Sequence, residues 1–97
     1  MVHLYHDIPS LTALEGFEGS ARHLSFKLAA SELEVTSGEI RRQIKAIEEE
    51  LGVRLIVGLG DDVVLTSVGE DLYRLLASSF SQAAEVVRII RRRDYPR

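Results

Sequence analysis

The chain is short, carries a small net charge and contains no cysteine. Of its 97 residues, 45% are hydrophobic and 28% are charged, and the formal net charge is −3. A chain of this length and composition forms one small globular domain, and no apolar run reaches the length of a membrane span. The absence of cysteine excludes disulfides and thiolate metal sites. Because the N-terminus lacks the basic and apolar regions of a signal peptide, we expect the chain to act in the cytoplasm.

Charge is distributed unevenly along the chain. Residues 22–54 carry six basic and six acidic side chains, residues 55–84 are acidic, and residues 85–97 are basic. Proteins that bind nucleic acids usually present a basic patch. Any such patch on this chain must therefore be local.

Two short amphipathic helices are predicted in the first third of the chain. The first spans roughly residues 10–21, because Ser10 follows a proline and is a favoured N-cap. The second begins after Ser25, which is another favoured N-cap. Its apolar stripe at helical spacing consists of Phe26, Ala29, Ala30 and Leu33. The small alanines predict that a neighbouring helix approaches closely.

A third helix is predicted over about residues 37–51. Thr36 and Glu39 form a capping-box pattern, and Gly52 occupies the position that glycine favours just beyond a helix. The predicted buried stripe consists of Ile40, Ile44, Ile47 and Leu51. Only a few residues separate this helix from the second, which is typical of a helix-turn-helix. Glu39 has two interpretations: a capping side chain, which we favour, or an acceptor for cytosine N4 of DNA.

A hairpin and a long helix complete the predicted architecture. Residues 53–57 and 63–66 are rich in β-formers, and the glycines and aspartates between them are typical of a turn. A fourth helix follows Thr66. Its apolar face consists of Leu72, Leu76, Phe80, Ala83, Val87 and Ile90. This face either packs on the domain's own core or, as we favour for its far half, pairs with a second copy of the chain.

The outward face of the third helix carries the main candidates for function. On a helical wheel, the residues that point roughly opposite the isoleucines are Gly38, Arg42, Lys45 and Glu49, and Arg41 flanks them. In a helix-turn-helix this face enters the major groove of DNA, where arginine can contact guanine through two hydrogen bonds. We expect Arg42, and after it Arg41, to read bases, and Lys45 to contact phosphate. Ser37 can donate to either group. The alternative interpretation is an ordinary solvated surface.

A second candidate site lies at the start of the second helix. Free N–H groups and the helix dipole attract phosphate at such a position. The predicted clamp on the DNA backbone consists of Arg22, His23, Ser25 and Lys27. Helix capping together with ordinary surface charge explains the same residues equally well.

Three stretches of the chain resemble LysR-type transcription regulators. Residues 10–36 resemble that family's "AARHLSF" and "AA-EL-VT" segments. Residues 40–55 resemble its "VSRQI-ALE-ELGV-LF" segment, and residues 65–69 resemble its "LT-AG" segment. The match is ordered and free of gaps over residues 9–90.

The resemblance implies one mainly α, winged helix-turn-helix domain over residues 1–97. A three-helix core with a two-stranded wing would occupy about residues 9–66, and a long C-terminal dimerisation helix about residues 67–93. It also implies a homodimer that recognises a partly palindromic stretch of double-stranded DNA, with Thr36 among the contacting residues. Usual family members carry a larger effector-binding domain. The resemblance does not extend to such a domain here, so no small-molecule effector is expected.

Several DNA-facing positions depart from the family pattern, although Arg42 matches it. The departures on the third helix are Ser37, Glu39 and Arg41. The wing is altered most, because the two arginines with which family wings reach DNA are replaced by Gly58 and Asp61. A carboxylate near phosphate is repelled by it.

Three hypotheses follow for the function. The leading one is a sequence-specific DNA-binding transcription regulator that acts as a homodimer. The alternative is a protein-interaction module that pairs with another transcription regulator and modulates it, with little DNA binding of its own. The net charge and the acidic wing favour this alternative. A third hypothesis is that the chain is a fragment of a longer regulator.

The sequence contains no convincing catalytic or metal site. No nucleophile, base and orienting group stand in a recognisable pattern, so we do not expect an enzyme or a cofactor. His3 and His6 have helical ligand spacing but only Asp7 nearby, and Asp61 and Asp62 lack further convergent ligands. No metal and no membrane partner are expected.

Overall fold

The computed structural model describes residues 8–58 and 60–92. Within these residues, four helices and two strands follow one another in the order α1–α2–α3–β1–β2–α4. The elements are α1 (Leu11–His23), α2 (Phe26–Leu33), α3 (Ser37–Leu51), β1 (Ile56–Val57), β2 (Val64–Leu65) and α4 (Ser67–Arg91). This arrangement confirms the predicted mainly α, winged helix-turn-helix architecture.

Helix α1 begins at the predicted cap but is longer than predicted. The Ser10 hydroxyl accepts a hydrogen bond from Ala13 N at 3.1 Å. The helix continues to His23, beyond the predicted end at residue 21, and stops where Leu24 adopts a left-handed conformation with φ of 55°. A left-handed leucine is uncommon. Because neither glycine nor proline occupies this position, the sequence carries no signal for the end of α1.

The connection between α2 and α3 is the predicted helix-turn-helix. Glu34 closes α2 in a left-handed conformation, and Val35 N donates to Ala30 O at 3.0 Å. The Thr36 hydroxyl accepts from Glu39 N at 3.1 Å and begins α3. Contrary to the favoured capping role, the Glu39 carboxylate accepts from Gln43 at 3.1 Å and pairs with Arg42. Partners one turn along the helix are within easier reach of this side chain.

The core lies between the first three helices and the start of β1. Its most deeply buried apolar side chains are Phe17, Ala29, Ile40 and Leu55. The isoleucine stripe of α3 is buried as predicted, but Leu51 is 45% exposed. Leu51 ends the helix, and the chain turns away through Gly52, which has φ of 72°. As the alanines predicted, α1 and α2 approach closely, and a Cβ on Gly19 would lie 3.5 Å from Ala29 Cβ.

Strands β1 and β2 form a short antiparallel hairpin, which we call the wing. Ile56 pairs with Leu65 and Val57 with Val64. Both strands are shorter than the predicted 53–57 and 63–66, because flanking N–H groups bond elsewhere. Val53 N donates to Glu48 O at 3.2 Å and Leu55 N to the Glu48 carboxylate at 2.7 Å, while Val63 N donates to Leu24 O at 3.4 Å.

Helix α4 is fixed to the base of the wing. The Thr66 hydroxyl accepts from Gly69 N at 3.0 Å and donates to Arg54 O at 2.7 Å. A Cβ on Gly69 would lie only 2.1 Å from the Leu55 carbonyl oxygen. Glycine is therefore required at the point where α4 crosses the chain that leads into the wing.

The apolar face of α4 divides into two parts. Leu76 is buried, and Leu72 and Phe80 pack partly buried against the core. These three side chains, predicted as dimerisation residues, thus cover the domain's own core. Val87 and Ile90, together with Ala83, remain exposed on the far half of the helix. No helix in residues 8–58 or 60–92 combines the length and the apolarity that a membrane crossing requires.

Candidate nucleic-acid interface

The outer face of α3, opposite the buried isoleucines, consists of Gly38, Arg42, Lys45 and Glu49, all exposed. Ser37 lies at the helix N-terminus, off this face. The Arg42 side chain is 74% exposed and, among the residues that the structure describes, pairs only with Glu39 in the preceding turn. Lys45 is exposed and has neither a hydrogen bond nor an ion pair within the part of the chain that the structure describes. This face therefore presents two cations and the Glu49 carboxylate to solvent, on a helix whose other face packs into the core.

Arg41 leaves the outer face and contacts the wing. Its guanidinium donates to Gly60 O at 2.6 Å and lies 4.3 Å from the centre of the Phe26 ring. This geometry combines a charge-assisted hydrogen bond with a cation–π contact. In this conformation Arg41 supports the wing and does not project beside Arg42.

The N-terminal end of α2 is occupied by a carboxylate from the wing. The Ser25 hydroxyl accepts from Leu28 N at 3.1 Å and donates to Asp61 Oδ2 at 2.6 Å. Lys27 N donates to Asp61 Oδ1 at 2.8 Å. The hydrogen bond from Ser25, helped by the Lys27 N–H and by the charges of Lys27 and Arg41, lowers the pKa of Asp61. The wing therefore fills the position that was predicted to hold a DNA phosphate.

The other two members of the predicted clamp are paired with glutamates. Arg22 bonds Glu18 at 2.8 Å and Glu32 at 2.9 Å, and His23 Nε2 lies 2.8 Å from Glu32. Hydrogen bonding to Glu18, and then to Glu32, raises the pKa of Arg22. Contacts with His23, and then with Arg22, lower the pKa of Glu32. Of the clamp residues, Arg22, His23 and Ser25 are thus held by carboxylates of the domain itself, whereas the exposed Lys27 ammonium has no hydrogen bond or ion pair within the described residues.

The described residues contain no cluster of three His, Cys, Asp or Glu side chains that could hold a metal ion. His3, His6 and Asp7 lie outside the described residues, as do Leu59 of the predicted turn and Arg93 at the end of the predicted fourth helix.

The segment that forms α1, α2, α3, the wing and the start of α4 matches a known protein family. Residues 11–70 match the model of a family described as bacterial regulatory helix-turn-helix protein, lysR family. The chain belongs to the LysR family.

Curated relatives of this LysR-family chain are transcription regulators by name. The HTH-type transcriptional activator AmpR of Pseudomonas aeruginosa is 49% identical over 74 residues, which cover 76% of the chain and 25% of AmpR. The glycine cleavage system transcriptional activator of Escherichia coli is 38% identical over 87 residues, which cover 90% of the chain and 28% of the activator. The chain spans about a quarter of the length of the curated relatives it matches.

Solved structures show the same fold as this LysR-family chain. A BenM_DBD/catB site 1 DNA complex has a TM-score of 0.76 and 27% identity, covering 91% of this chain and 98% of that chain. An OxyR mutant of Corynebacterium glutamicum has a TM-score of 0.74 and 28% identity, covering 86% of this chain and 26% of that chain. These similarities agree with the winged helix-turn-helix architecture.

Three structural roles in this LysR-family chain were not predicted from the sequence. Glu32 neutralises part of the clamp, Asp61 binds the end of α2, and Glu48 accepts from Leu55 N and Ile56 N at 2.7 and 3.1 Å. For Asp61 the sequence did offer a signal, because an aspartate stands where the wings of the family carry an arginine. Glu32 and Glu48 have no comparable signal, because a glutamate on a helix is usually solvated.

Proposed function

We propose that this chain is the DNA-binding part of a transcription regulator, with α3 in the major groove. The observation that supports this proposal best is the outer face of α3, where Arg42 and Lys45 stand exposed on a helix anchored by buried isoleucines. The fold similarity to the BenM_DBD/catB site 1 DNA complex supports DNA binding by this fold.

Each residue expected to contact DNA has a specific part in the proposal. Arg42 breaks its surface pair with Glu39 and donates two hydrogen bonds to a guanine, a geometry that lysine cannot supply. Lys45 contacts phosphate farther along α3. Ser37, and Thr36 beside it, lie at the helix N-terminus, where N–H groups and hydroxyls suit phosphate or base edges. Arg41 supports the wing and contacts DNA only after leaving Gly60.

A salt-dependent binding experiment tests this proposal. Wild type is titrated against a random duplex pool and against selected sequences, from low to physiological salt. Arg42→Ala should lose about 1–3 kcal/mol of binding free energy at the preferred sequence. Lys45→Ala should reduce the salt slope by about 1, as expected for one lost phosphate contact.

A double variant on α4 provides the matched control. Arg74→Ala with Arg88→Ala removes two exposed cations that pair within α4, with Asp71 and Glu85 respectively. If this control loses as much affinity as the combined Arg42→Ala and Lys45→Ala variant, the outer face of α3 is not the interface. If wild type binds no duplex even at low salt, direct DNA binding is excluded.

We further propose that the chain acts as a homodimer through the far half of α4. Residues 9–66 would then form the DNA-reading core and residues 67–93 the dimerisation helix. Val87 and Ile90 are exposed by 42% and 55%. Exposed apolar side chains repeated along one helix are typical of a helix-pairing surface. Leu72, Leu76 and Phe80 contribute by orienting α4 on the core.

Sedimentation equilibrium tests the dimer. Ile90→Glu should shift the protein towards monomer, because a carboxylate would be buried in the seam. Ser81→Glu, an exposed position about 180° around the helix from Ile90, is the control and should leave association unchanged. A wild-type monomer at high protein concentration would exclude the homodimer.

The second candidate function is pairing with another transcription regulator. It is favoured by Asp61, which neutralises the end of α2, and by the second wing carboxylate of Asp62. Under this alternative, the Arg42→Ala and Lys45→Ala variant keeps its helix pairing and loses no function, since DNA contact is supplied by the partner.

A further inference from the structure

The wing places a negatively charged group on a helix end where an external anion would bind. The N-terminus of a helix attracts anions because its first N–H groups are free and the helix dipole is positive there. In this chain the Asp61 carboxylate receives one bond from Lys27 N at 2.8 Å and another from the Ser25 hydroxyl at 2.6 Å. A phosphate oxygen would use the same two donors.

The contact extends beyond the carboxylate to the whole wing tip, which comprises Gly60, Asp61 and Asp62. Phe26 N donates to Asp61 O at 3.4 Å, and a backbone bridge joins Ser25 to Asp62. On the other side, Arg41 of α3 donates to Gly60 O at 2.6 Å. The wing tip is therefore attached both to α2 and to α3, in one docked position.

We propose that Asp61 is an internal competitor of the DNA phosphate: it docks the wing tip onto α2 and thereby lowers the affinity of this domain for DNA. The inference rests on the proposed DNA-binding function and specifies how the wing modulates it. The docked carboxylate removes two donors from the DNA-binding surface and repels phosphate. It also retains Arg41 at Gly60, so a third potential donor is withdrawn by the same contact.

Asp62 provides a matched control for the charge of Asp61. The two residues are adjacent in the wing tip and have the same side chain. The Asp61 carboxylate binds the donors of α2, whereas the Asp62 side chain forms no hydrogen bond or ion pair with the residues that the structure describes. Neutralising either one changes the net charge equally, but only Asp61→Asn weakens the docked contact.

The first experiment compares wild type, Asp61→Asn and Asp62→Asn on the same duplex pool over a range of salt. If Asp61 competes with phosphate, Asp61→Asn gains more affinity than Asp62→Asn. Its plot of log K against log salt should also steepen by about 0.9, the value for one additional phosphate contact. Equal affinities and equal slopes for the two variants would overturn the proposal.

The second experiment needs no DNA and separates this inference from the proposed function. Inorganic phosphate is titrated into ¹⁵N-labelled wild type, Asp61→Ala and Asp62→Ala, with sodium chloride matched for ionic strength, and the Lys27 amide resonance is followed. A saturable shift in Asp61→Ala alone supports internal competition. The same response in all three proteins, or in none, overturns it. Should Asp61→Ala fail to fold, Asp61→Asn takes its place, because a neutral amide is a weaker acceptor at the same position.

The two experiments fail independently. If none of the proteins binds duplex DNA, the proposed function is wrong, and the phosphate titration still decides whether Asp61 occupies an anion position. If wild type binds DNA and Asp61→Asn behaves as Asp62→Asn does, the function stands and the inference is wrong.

Discussion

Two regions of the molecule carry similar polar and basic side chains but differ in what those side chains contact. On the outer face of α3, Lys45 has no partner within the described residues, and Arg42 pairs only with the half-buried Glu39. In the predicted clamp, Arg22 and His23 pair with Glu32, while the end of α2 binds a wing carboxylate. The first region is open to an external anion, whereas the second is largely neutralised from within: its exposed Lys27 ammonium is the one clamp cation without an ion pair among the described residues.

The difference arises from carboxylates that are distant in sequence from the groups they bind. Asp61 reaches Lys27 N across 34 residues, and Glu32 reaches Arg22 across 10 residues. A local pattern identifies a helix end or a cation, but it does not identify the side chain that folding brings against it. Basic residues near a helix N-terminus are thus a weaker indication of phosphate binding than basic residues on an uncovered helix face.

The largest expected effect is a loss of stability from a substitution at Gly69, at the base of the wing. The position of the wing carboxylate Asp61 on α2 depends on this part of the structure. Gly69→Ala would place a Cβ 2.1 Å from the Leu55 carbonyl oxygen, so α4 must shift away from the chain entering β1. We expect the free energy of unfolding to fall by about 3 kcal/mol, at the upper end of the usual range for overpacking. Urea denaturation followed by circular dichroism measures this change.

Gly38→Ala is the control for that experiment. Gly38 also lies in a helix, but nothing lies within 4 Å of an added Cβ. Alanine there should raise the free energy of unfolding by up to about 1 kcal/mol, because it favours the helix more than glycine does. A loss of stability of similar size in both variants would contradict the close contact at Gly69.

Local sequence features were sufficient to predict most of the fold. All four helices begin at the predicted hydroxyl caps, Ser10, Ser25, Thr36 and Thr66, and each cap accepts a bond from a backbone N–H three residues later. Capping and helical periodicity act within one or two turns, so the sequence displays them directly.

Features that depend on tertiary contacts could not be predicted in the same way. The end of α1 depends on a left-handed Leu24, and the start of β1 depends on Glu48, which takes the N–H of Leu55. The contact of Arg41 with Gly60 was likewise not predicted, because it depends on the wing tip folding back to within 2.6 Å of the guanidinium. The expectation that Arg41 reads bases stays a prediction.

Removing one arginine from the outer face of α3 and one from the clamp compares the two regions directly. Arg42→Ala should lose about 1–3 kcal/mol of DNA-binding free energy. Arg22→Ala should change DNA affinity much less, because its guanidinium is already held by Glu18 and Glu32. Fluorescence anisotropy with one labelled duplex at fixed salt compares them directly. An equal loss of affinity in both variants would show that the clamp opens to bind DNA.

The same two variants should have the opposite order of effect on stability. Glu18 is a buried glutamate whose side chain is only 11% exposed, so Arg22→Ala leaves a carboxylate poorly satisfied. We expect a loss of about 1 kcal/mol in the free energy of unfolding, reduced by the exposure of Arg22. Arg42→Ala breaks only a surface pair and should change stability by less than about 0.5 kcal/mol. Thermal denaturation of both variants, with wild type as reference, checks this order.

The smallest expected effect is a change in how the free energy of unfolding depends on pH. It tests the ion pairs of Glu32 in the predicted clamp without using DNA. Hydrogen bonding to His23, and then to Arg22, lowers the pKa of Glu32 below its ordinary value of 4.5. A carboxylate with a lowered pKa in the folded state stabilises that state above its unfolded pKa, and the stabilisation is lost as the pH falls through the folded pKa. Wild type should therefore lose stability more steeply below about pH 4.5 than Glu32→Gln does.

Glu15→Gln is the control for this titration, because Glu15 is an exposed glutamate of α1 without a partner among the described residues. The unfolding free energies of wild type and Glu32→Gln should converge at the acid end, where Glu32 is protonated in both the folded and the unfolded state. Glu15→Gln removes the same charge from α1 without breaking a contact, so the effect of the Glu32 contacts is the difference between the two variants. If Glu32→Gln ran parallel to wild type, the contacts with His23 and Arg22 would not hold the carboxylate in its charged form, and the clamp would be as open to an external anion as the outer face of α3.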